Sequence, residues 1–308
     1  MVTEELSMNA KLEKLCRLLQ LGEMSVSPRP VSGGFLHRMF RVETARGVFA
    51  VKALNPDIML RPQALKNMRD GEQAALALQK TVPLCASLCG VAEVEGAYFI
   101  VYPWAEGVPV FPPEITAEHC CIMGHTLGSI HAADVRVPGM EPKPELRLRY
   151  DWSLAEDARL LRWDAGALAG LRRLRAVQVI SHRDLDPKNV LWQGMRPCLI
   201  DWEAAGYVNP WQELIELLNY WADDETKARA MITAYGEHMD LADADWDAAL
   251  AAGMDGMLGW LHYNLLRAAG LEGSSTEDKV AGEAHVRHTL RELERYEERM
   301  VFLRRLLG

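Results

Sequence analysis

Three short apolar runs, "VQVI" at 177–180, "NVLW" at 189–192 and "CLI" at 198–200, interrupt a half of the chain that otherwise reads as helix. Runs of this length and composition suit brief strands. The segment from His182 to Asn189 joins the first two runs, and Asp201 follows the third. Charged and hydrogen-bonding groups are not buried without partners. The pattern therefore puts Asp184, Asn189 and Asp201 at the ends of adjacent strands, projecting into one small volume. An acid and an amide among them offer oxygen ligands that suit a hard cation shared with substrate phosphates. A further carboxylate beside them can accept a proton from an attacking hydroxyl. Turn capping is the plainer account of Asp184 and Asn189, but it leaves Asp201 unexplained.

The first third reads as a helix followed by strands. Leu12, Leu15, Cys16 and Leu19 repeat at helical spacing, and "MFRVETARGVFAVKAL" then forms a hairpin turning at Gly47, with Lys52 in the returning strand. A helix is expected over "RPQALKNMRDGEQAALALQK", despite Gly71, and a strong strand over "GAYFIVYPW". Gly107, Pro109, Pro112 and Pro113 then break regular structure. The expected division is a lobe at 1–102, a hinge at 103–107 and a largely helical lobe at 108–308. Helices are predicted over 114–132, 154–174, 210–222 and 244–269. A final helix carries Val286, Leu290, Leu293, Met300, Leu303 and Leu307 on one face. No internal repeat or low-complexity segment breaks this plan.

At 308 residues, with 49% apolar and 25% charged residues, the chain can bury a large core, and its net charge of -9 argues against nucleic acid or an anionic membrane as main partner. Eight Asp or Glu between Asp223 and Asp247 form either a solvated surface or an acidic rim for a cationic ligand. The charged start and the absence of a long apolar run lead to the expectation of a cytoplasmic protein. The six cysteines lack zinc-site spacing and read as free thiols.

The run H-R-D-x-x-x-x-N, followed by a strand ending in Asp, resembles the catalytic and metal-binding loops of protein kinases and their small-molecule relatives. "HRDLDPKNVLW" with "LIDWEAAGYVNPWQEL" looks most like the aminoglycoside phosphotransferase and choline kinase superfamily. That resemblance implies an α+β, bilobal protein-kinase-like fold with a small antiparallel sheet and a mainly helical second lobe. It implies a kinase using Mg2+ and ATP or GTP. Asp184 is then the catalytic base, and Asn189 and Asp201 hold the metal. Lys52, on its strand, holds the phosphates and pairs with Glu72, with Asp70 as the alternative partner. Ser32, Gly33 and Gly34 form a phosphate loop about twenty residues before Lys52. The link containing Tyr102 and Trp104 receives the base.

Only "WEAAGYVNP" separates Asp201 from a helix expected to start at Pro210, which leaves no room for the activation segment of a protein kinase. A small, hydroxylated and cationic acceptor is therefore expected, with an aminoglycoside first. Choline, thiamine, homoserine or a sugar is the alternative acceptor, and a non-catalytic nucleotide-binding regulatory module is the alternative class. Glu203, Asp151, Trp260 and Tyr263 are the candidate acceptor contacts; packing is the competing account of each. No protein partner is evident. Three departures from the superfamily pattern stand out: Arg183 where Gly is common, Asp186 where His or Cys is common, and Glu213 where Asp is usual. Lys188 is either a γ-phosphate contact or an exposed loop lysine.

Overall fold

The computed structural model describes residues 2–31, 36–142, 146–273 and 275–307. The chain forms two compact units, each built from three separate segments. The first contains Met1–Phe111, Ala133–Met140 and Ile180–Gly206; the second contains Pro112–Ala132, Glu141–Val179 and Tyr207–Gly308.

In the first unit, α1 (Val2–Leu18) precedes the strands β1 (Arg29–Val31), β2 (Arg38–Thr44) and β3 (Gly47–Ala53). A short α2 (Pro56–Met59), α3 (Ala64–Leu78), β4 (Val91–Val94) and β5 (Ala97–Pro103) follow. The strands form one antiparallel sheet in the order β1-β2-β3-β5-β4. Successive strand residues point to opposite faces. Phe49, Val51 and Ala53 accordingly join Leu12, Leu15 and Cys16 of α1 in one apolar cluster. Lys52 points the other way, registered against Ile100 of β5, on the face where Ile100 and Leu54 pack with Met68 of α3.

The expected division along the chain differs from this partition, because residues 180–206 join the sheet-bearing unit. Short strands β6 (Val179–Ser181) and β9 (Gly206–Val208) lie at the ends of that segment, with β7 (Val190–Gln193) and β8 (Arg196–Leu199) paired between them. Backbone bonds fasten the pair to the first unit. Cys85 N–H donates to Leu199 O at 2.9 Å, and Leu199 N–H donates to Pro83 O at 3.1 Å. Val108 and Trp192 exchange N–H···O bonds of 3.2 and 2.9 Å. The 103–107 link therefore lies within the first unit, bound to the β7–β8 hairpin.

The second unit is helical: α4 (Ala117–Ala132), α5 (Arg159–Leu174), α6 (Pro210–Trp221), α7 (Glu225–Gly236), α8 (Trp246–Ala252), α9 (Asp255–Ala269) and α10 (Thr276–Leu307). Asn209 starts α6 by accepting N–H bonds from Trp211 and Gln212, while its amide donates to Leu174 O and Val177 O. The helix expected over 244–269 is two helices. They break at Gly253, where an added Cβ would lie 2.3 Å from the Tyr296 hydroxyl. In α10 the buried residues are Gly282, Thr289, Leu293, Tyr296 and Leu303, so of the expected face Leu293 and Leu303 are buried while Val286, Leu290, Met300 and Leu307 are only half-buried. Among the described residues, no helix is long and apolar enough to cross a membrane.

Candidate active site

The loop before β7 is held from inside by His182, which is fully buried. Its Nδ1 accepts the Asp184 N–H at 3.3 Å, which leaves Nε2 to donate to Ile200 O at 2.9 Å. One imidazole thus ties the backbone of Asp184 to the strand end that carries Asp201. Its ring centroid lies 4.6 Å from that of Trp202. Asn189 Nδ2 donates to Asp184 O at 2.8 Å and to Asp184 Oδ2 at 2.9 Å. The two expected partners are therefore one hydrogen-bonded unit, and the remaining amide oxygen of Asn189 is its metal-type donor.

Asp186 has a local task. Its Oδ1 accepts Lys188 N–H at 2.9 Å and caps the 3-10 turn Pro187–Asn189. Burial raises its pKa, against the opposing pull of Lys188. Lys188 Nζ lies 3.6 Å from Asp184 Oδ2 and 3.8 Å from Asp186 Oδ2, so it balances both carboxylates.

Asp201, two residues past β8, lies in the left-handed region at φ 64°, and Arg183 adopts φ 66°. Such backbone is costly for residues other than glycine and persists where surrounding contacts impose it. The conformation leads the chain from Asp201 into the 3-10 turn Trp202–Ala204, which carries Glu203. Lys52 Nζ donates to Asp201 Oδ1 at 2.7 Å and to Glu203 Oε2 at 2.5 Å. Burial alone would lower the lysine pKa, but the two carboxylates reverse that and raise it. Asp201 is shifted the other way: burial opposes its charge, yet Lys52 holds its pKa below the ordinary value. For Glu203, burial wins and the pKa is raised.

The expected Lys52–Glu72 pair is not formed. Glu72, only 4% exposed, accepts the Tyr102 hydroxyl at 2.5 Å through Oε1, and its Oε2 has no hydrogen-bond partner among the described residues. Burial first, and the Glu72 charge second, raise the Tyr102 pKa well above its ordinary value. The alternative, Asp70, pairs with Lys66 at the surface. Tyr102 and Lys52 project from the same face of neighbouring strands, and there the phenol takes the helix carboxylate. His37 is the group that sequence reasoning passed over. Its Nδ1 accepts Asn55 N–H at 3.0 Å, and Nε2 stands 3.5 Å from Glu203 Oε2. Its only sequence signal is its position shortly before β2.

Of the other expected nucleotide contacts, Trp104 donates its backbone N–H to Val48 O at 3.0 Å, and its ring lies beneath Arg41. Ser32, Gly33 and Gly34 lie outside the described residues. Of the four acceptor candidates, Glu203 lies in the first unit against Lys52. Asp151, Trp260 and Tyr263 belong to the second. Asp151 is exposed and accepts Ser153 N–H. Trp260 packs with Tyr263 and His285, and Arg267 lies over the Tyr263 ring. Glu213 is a buried partner of His131 at 2.9 Å within the second unit.

The donors Asn189 and Asp201 are hard oxygens, as magnesium prefers. They are neighbours through the strand pair, because Ile200 N–H donates to Asn189 O at 3.0 Å. No group of three or more His, Cys, Asp or Glu gathers for a metal among the described residues. An ion held by these two would complete its shell with phosphate and water oxygens.

The model of the phosphotransferase enzyme family, APH, matches residues 27–252. No curated protein sequence matches the chain. Among solved structures, spectinomycin phosphotransferase APH(9)-Ia in complex with ADP and spectinomycin is 12% identical, with a TM-score of 0.64, covering 92% of this chain and 98% of its own. The amicoumacin kinase hAmiN, with AMP-PNP, Ca2+ and amicoumacin, is 12% identical with a TM-score of 0.64, covering 94% and 96%. Macrolide 2'-phosphotransferase MphH from Brachybacterium faecium is 16% identical with a TM-score of 0.58, covering 89% and 97%. At these identities the likeness shows the fold, which is the kinase-like fold expected from the sequence.

Proposed function

Because the chain belongs to the phosphotransferase enzyme family, we propose that it transfers the γ-phosphoryl group of ATP or GTP to a hydroxyl of a small cationic molecule, with an aminoglycoside-type antibiotic as the first candidate. The observation that carries this reading is the junction of Lys52, Asp201, Asn189 and Asp184 within one unit. Lys52 is bonded to Asp201 and Asn189 to Asp184, and Ile200 links the two halves. Asp184 orients the acceptor hydroxyl and takes its proton as the oxygen attacks the γ-phosphorus, whose bond to the bridging β-phosphate oxygen breaks to release ADP or GDP. Lys52 holds the phosphates, and Asn189 fixes the carboxylate of Asp184. Magnesium, held by Asn189 and Asp201, supplies neutralisation of phosphate charge when bound. Catalysis of this kind is mostly positioning and electrostatics.

The acceptor class rests on the acidic character of the chain and on the substrates named with its structural neighbours, spectinomycin, amicoumacin and macrolides. The test is magnesium-dependent nucleotide turnover across aminoglycosides, macrolides, amino alcohols and sugars. Stimulation by one class identifies the acceptor; stimulation by none favours a nucleotide-binding regulatory module. Asp184→Asn keeps an oxygen for the Asn189 amide but removes the base. It should lower kcat by about 10²- to 10⁴-fold with nucleotide binding retained. Undiminished turnover in that variant removes Asp184 from its role.

A further inference from the structure

We propose that Cys85 and Cys198 are a two-thiol modification site, which closes reversibly to a disulfide by exchange with a small disulfide such as oxidised glutathione. The inference stands apart from the phosphotransferase reading, and three observations carry it.

The first is placement. Both residues belong to the first unit, although more than a hundred positions separate them. Leu84 and Leu199 form a parallel bridge, in which Leu199 N–H donates to Pro83 O at 3.1 Å and Cys85 N–H donates to Leu199 O at 2.9 Å. Main chains joined in this way run about 4.8 Å apart. Cys85 follows one member of the bridge and Cys198 precedes the other, so both side chains leave the ladder on the same face. There the two thiols are hydrogen-bonded to each other.

The second is access. Cys85 and Cys198 are half-buried, whereas Cys16 and Cys120 are buried. A small disulfide can therefore reach the pair, while the surrounding chain holds the two sulfurs together. Cys89 is more exposed and lies four residues from Cys85, yet its thiol is directed at its neighbour Gly90 O at 3.7 Å. It is the natural competitor in any test.

The third is a division of roles. Exchange needs a thiolate that attacks and a second thiol that resolves the mixed disulfide. The hydrogen bond from Cys85 lowers the Cys198 pKa below its ordinary value, against burial, which raises it. The same bond, and then burial, raises that of Cys85. The single S–H of Cys85 lies 3.4 Å from Pro103 O and serves the Cys198 sulfur once that ionises. Cys198 thiolate attacks one sulfur of the small disulfide, whose S–S bond breaks and releases a first thiolate. Cys85 then loses its proton and attacks the Cys198 sulfur, which expels the second. The two electrons and two protons lost by the protein end on the two released thiols. Where small thiols prevail the pair stays open, and it closes as small disulfides accumulate. Closure ties residues 83–85 to β8 and removes the thiol donor from Pro103 O at the end of β5.

The test treats the full chain with oxidised glutathione and maps every cysteine by mass spectrometry of its unreduced peptides. Two of the six thiols should be lost as one Cys85–Cys198 cross-link, and dithiothreitol should restore both. Cys85→Ser should instead carry glutathione on Cys198, the arrested intermediate. In Cys198→Ser, Cys85 should react at least about tenfold more slowly than Cys198 does in the first variant, since less of it is thiolate. Separate glutathione adducts on both residues of the wild type, a cross-link to Cys89, or six untouched thiols overturns the proposal, whatever the variants do.

A second measurement asks whether the bond suits the folded chain. It would close a loop of more than a hundred residues, so the urea midpoint of the oxidised wild type should lie above that of the reduced protein by about 1 M. A midpoint unchanged or lowered by oxidation overturns the proposal, because the disulfide would then form at the expense of the ladder that presents the two thiols.

Discussion

His37 shows how much one side chain in this unit depends on its surroundings. Burial, with Lys52 nearby, lowers its pKa from 6.5 to about 4. Between those values the unfolded chain binds a proton that the folded chain refuses. Stability therefore rises with pH across that window and is lost as pH falls through it. Wild type should lose up to about 3 kcal/mol more than His37→Asn between pH 6.5 and 4, read as the difference between urea unfolding curves. Parallel pH profiles would show that the imidazole is free to protonate in the folded state. At this scale the sequence was informative wherever spacing along one segment decides the outcome. Asp184, Asn189 and Asp201 come together because one hairpin fixes their separation. The contacts of Lys52 were not legible, because Glu203 reaches it from a turn far along the chain while the Tyr102 hydroxyl engages Glu72. Asp186 and Lys188 were ambiguous for the opposite reason, since their task is a turn and its charge balance.

Helix α3 gives the element scale its clearest case. Alanine is preferred over glycine inside a helix by about 1 kcal/mol, so Gly71 looked like a flaw. The Trp202 carbonyl explains it, because a methyl group there would meet backbone on a tightly held turn. Gly71→Ala should therefore destabilise the protein by about 1–3 kcal/mol, and Mg-nucleotide affinity should fall with it. A stabilised variant in thermal unfolding would mean that the turn can retreat. The β2–β3 hairpin, β5 and α10 were readable from periodicity. Helix α7 was hidden in the acidic run, although Ala228, Met231, Ala234 and Tyr235 give it a buried face and Asp224 caps its start. Charge density drew attention to the solvent side of that segment and away from its spacing. The break at Gly253 depends on Tyr296, which no local pattern announces.

Across the whole molecule, compactness does not follow chain order. Leu84 and Leu199 form a parallel bridge, and Trp202 packs on α3. The sheet-bearing unit thus takes essential contacts from residues more than a hundred positions away. A fragment of residues 1–111 should lack the cooperative urea unfolding expected of the full chain. A sharp transition in the fragment, followed by circular dichroism, would mean that the sheet and α3 suffice. The motif order in the sequence was enough to name the fold. The division into units was not, because it depends on a few main-chain bonds made late in the chain.

The contact between Gly71 and Trp202 also sets a timetable for synthesis. About 130 residues separate the two, and translation proceeds at roughly 5–20 residues per second. The side of α3 that receives the turn therefore waits on the order of ten seconds for its cover. The early-made sheet is exposed to misassociation over that interval, which makes the nascent chain, more than the finished protein, the state in which chaperone dependence should be greatest.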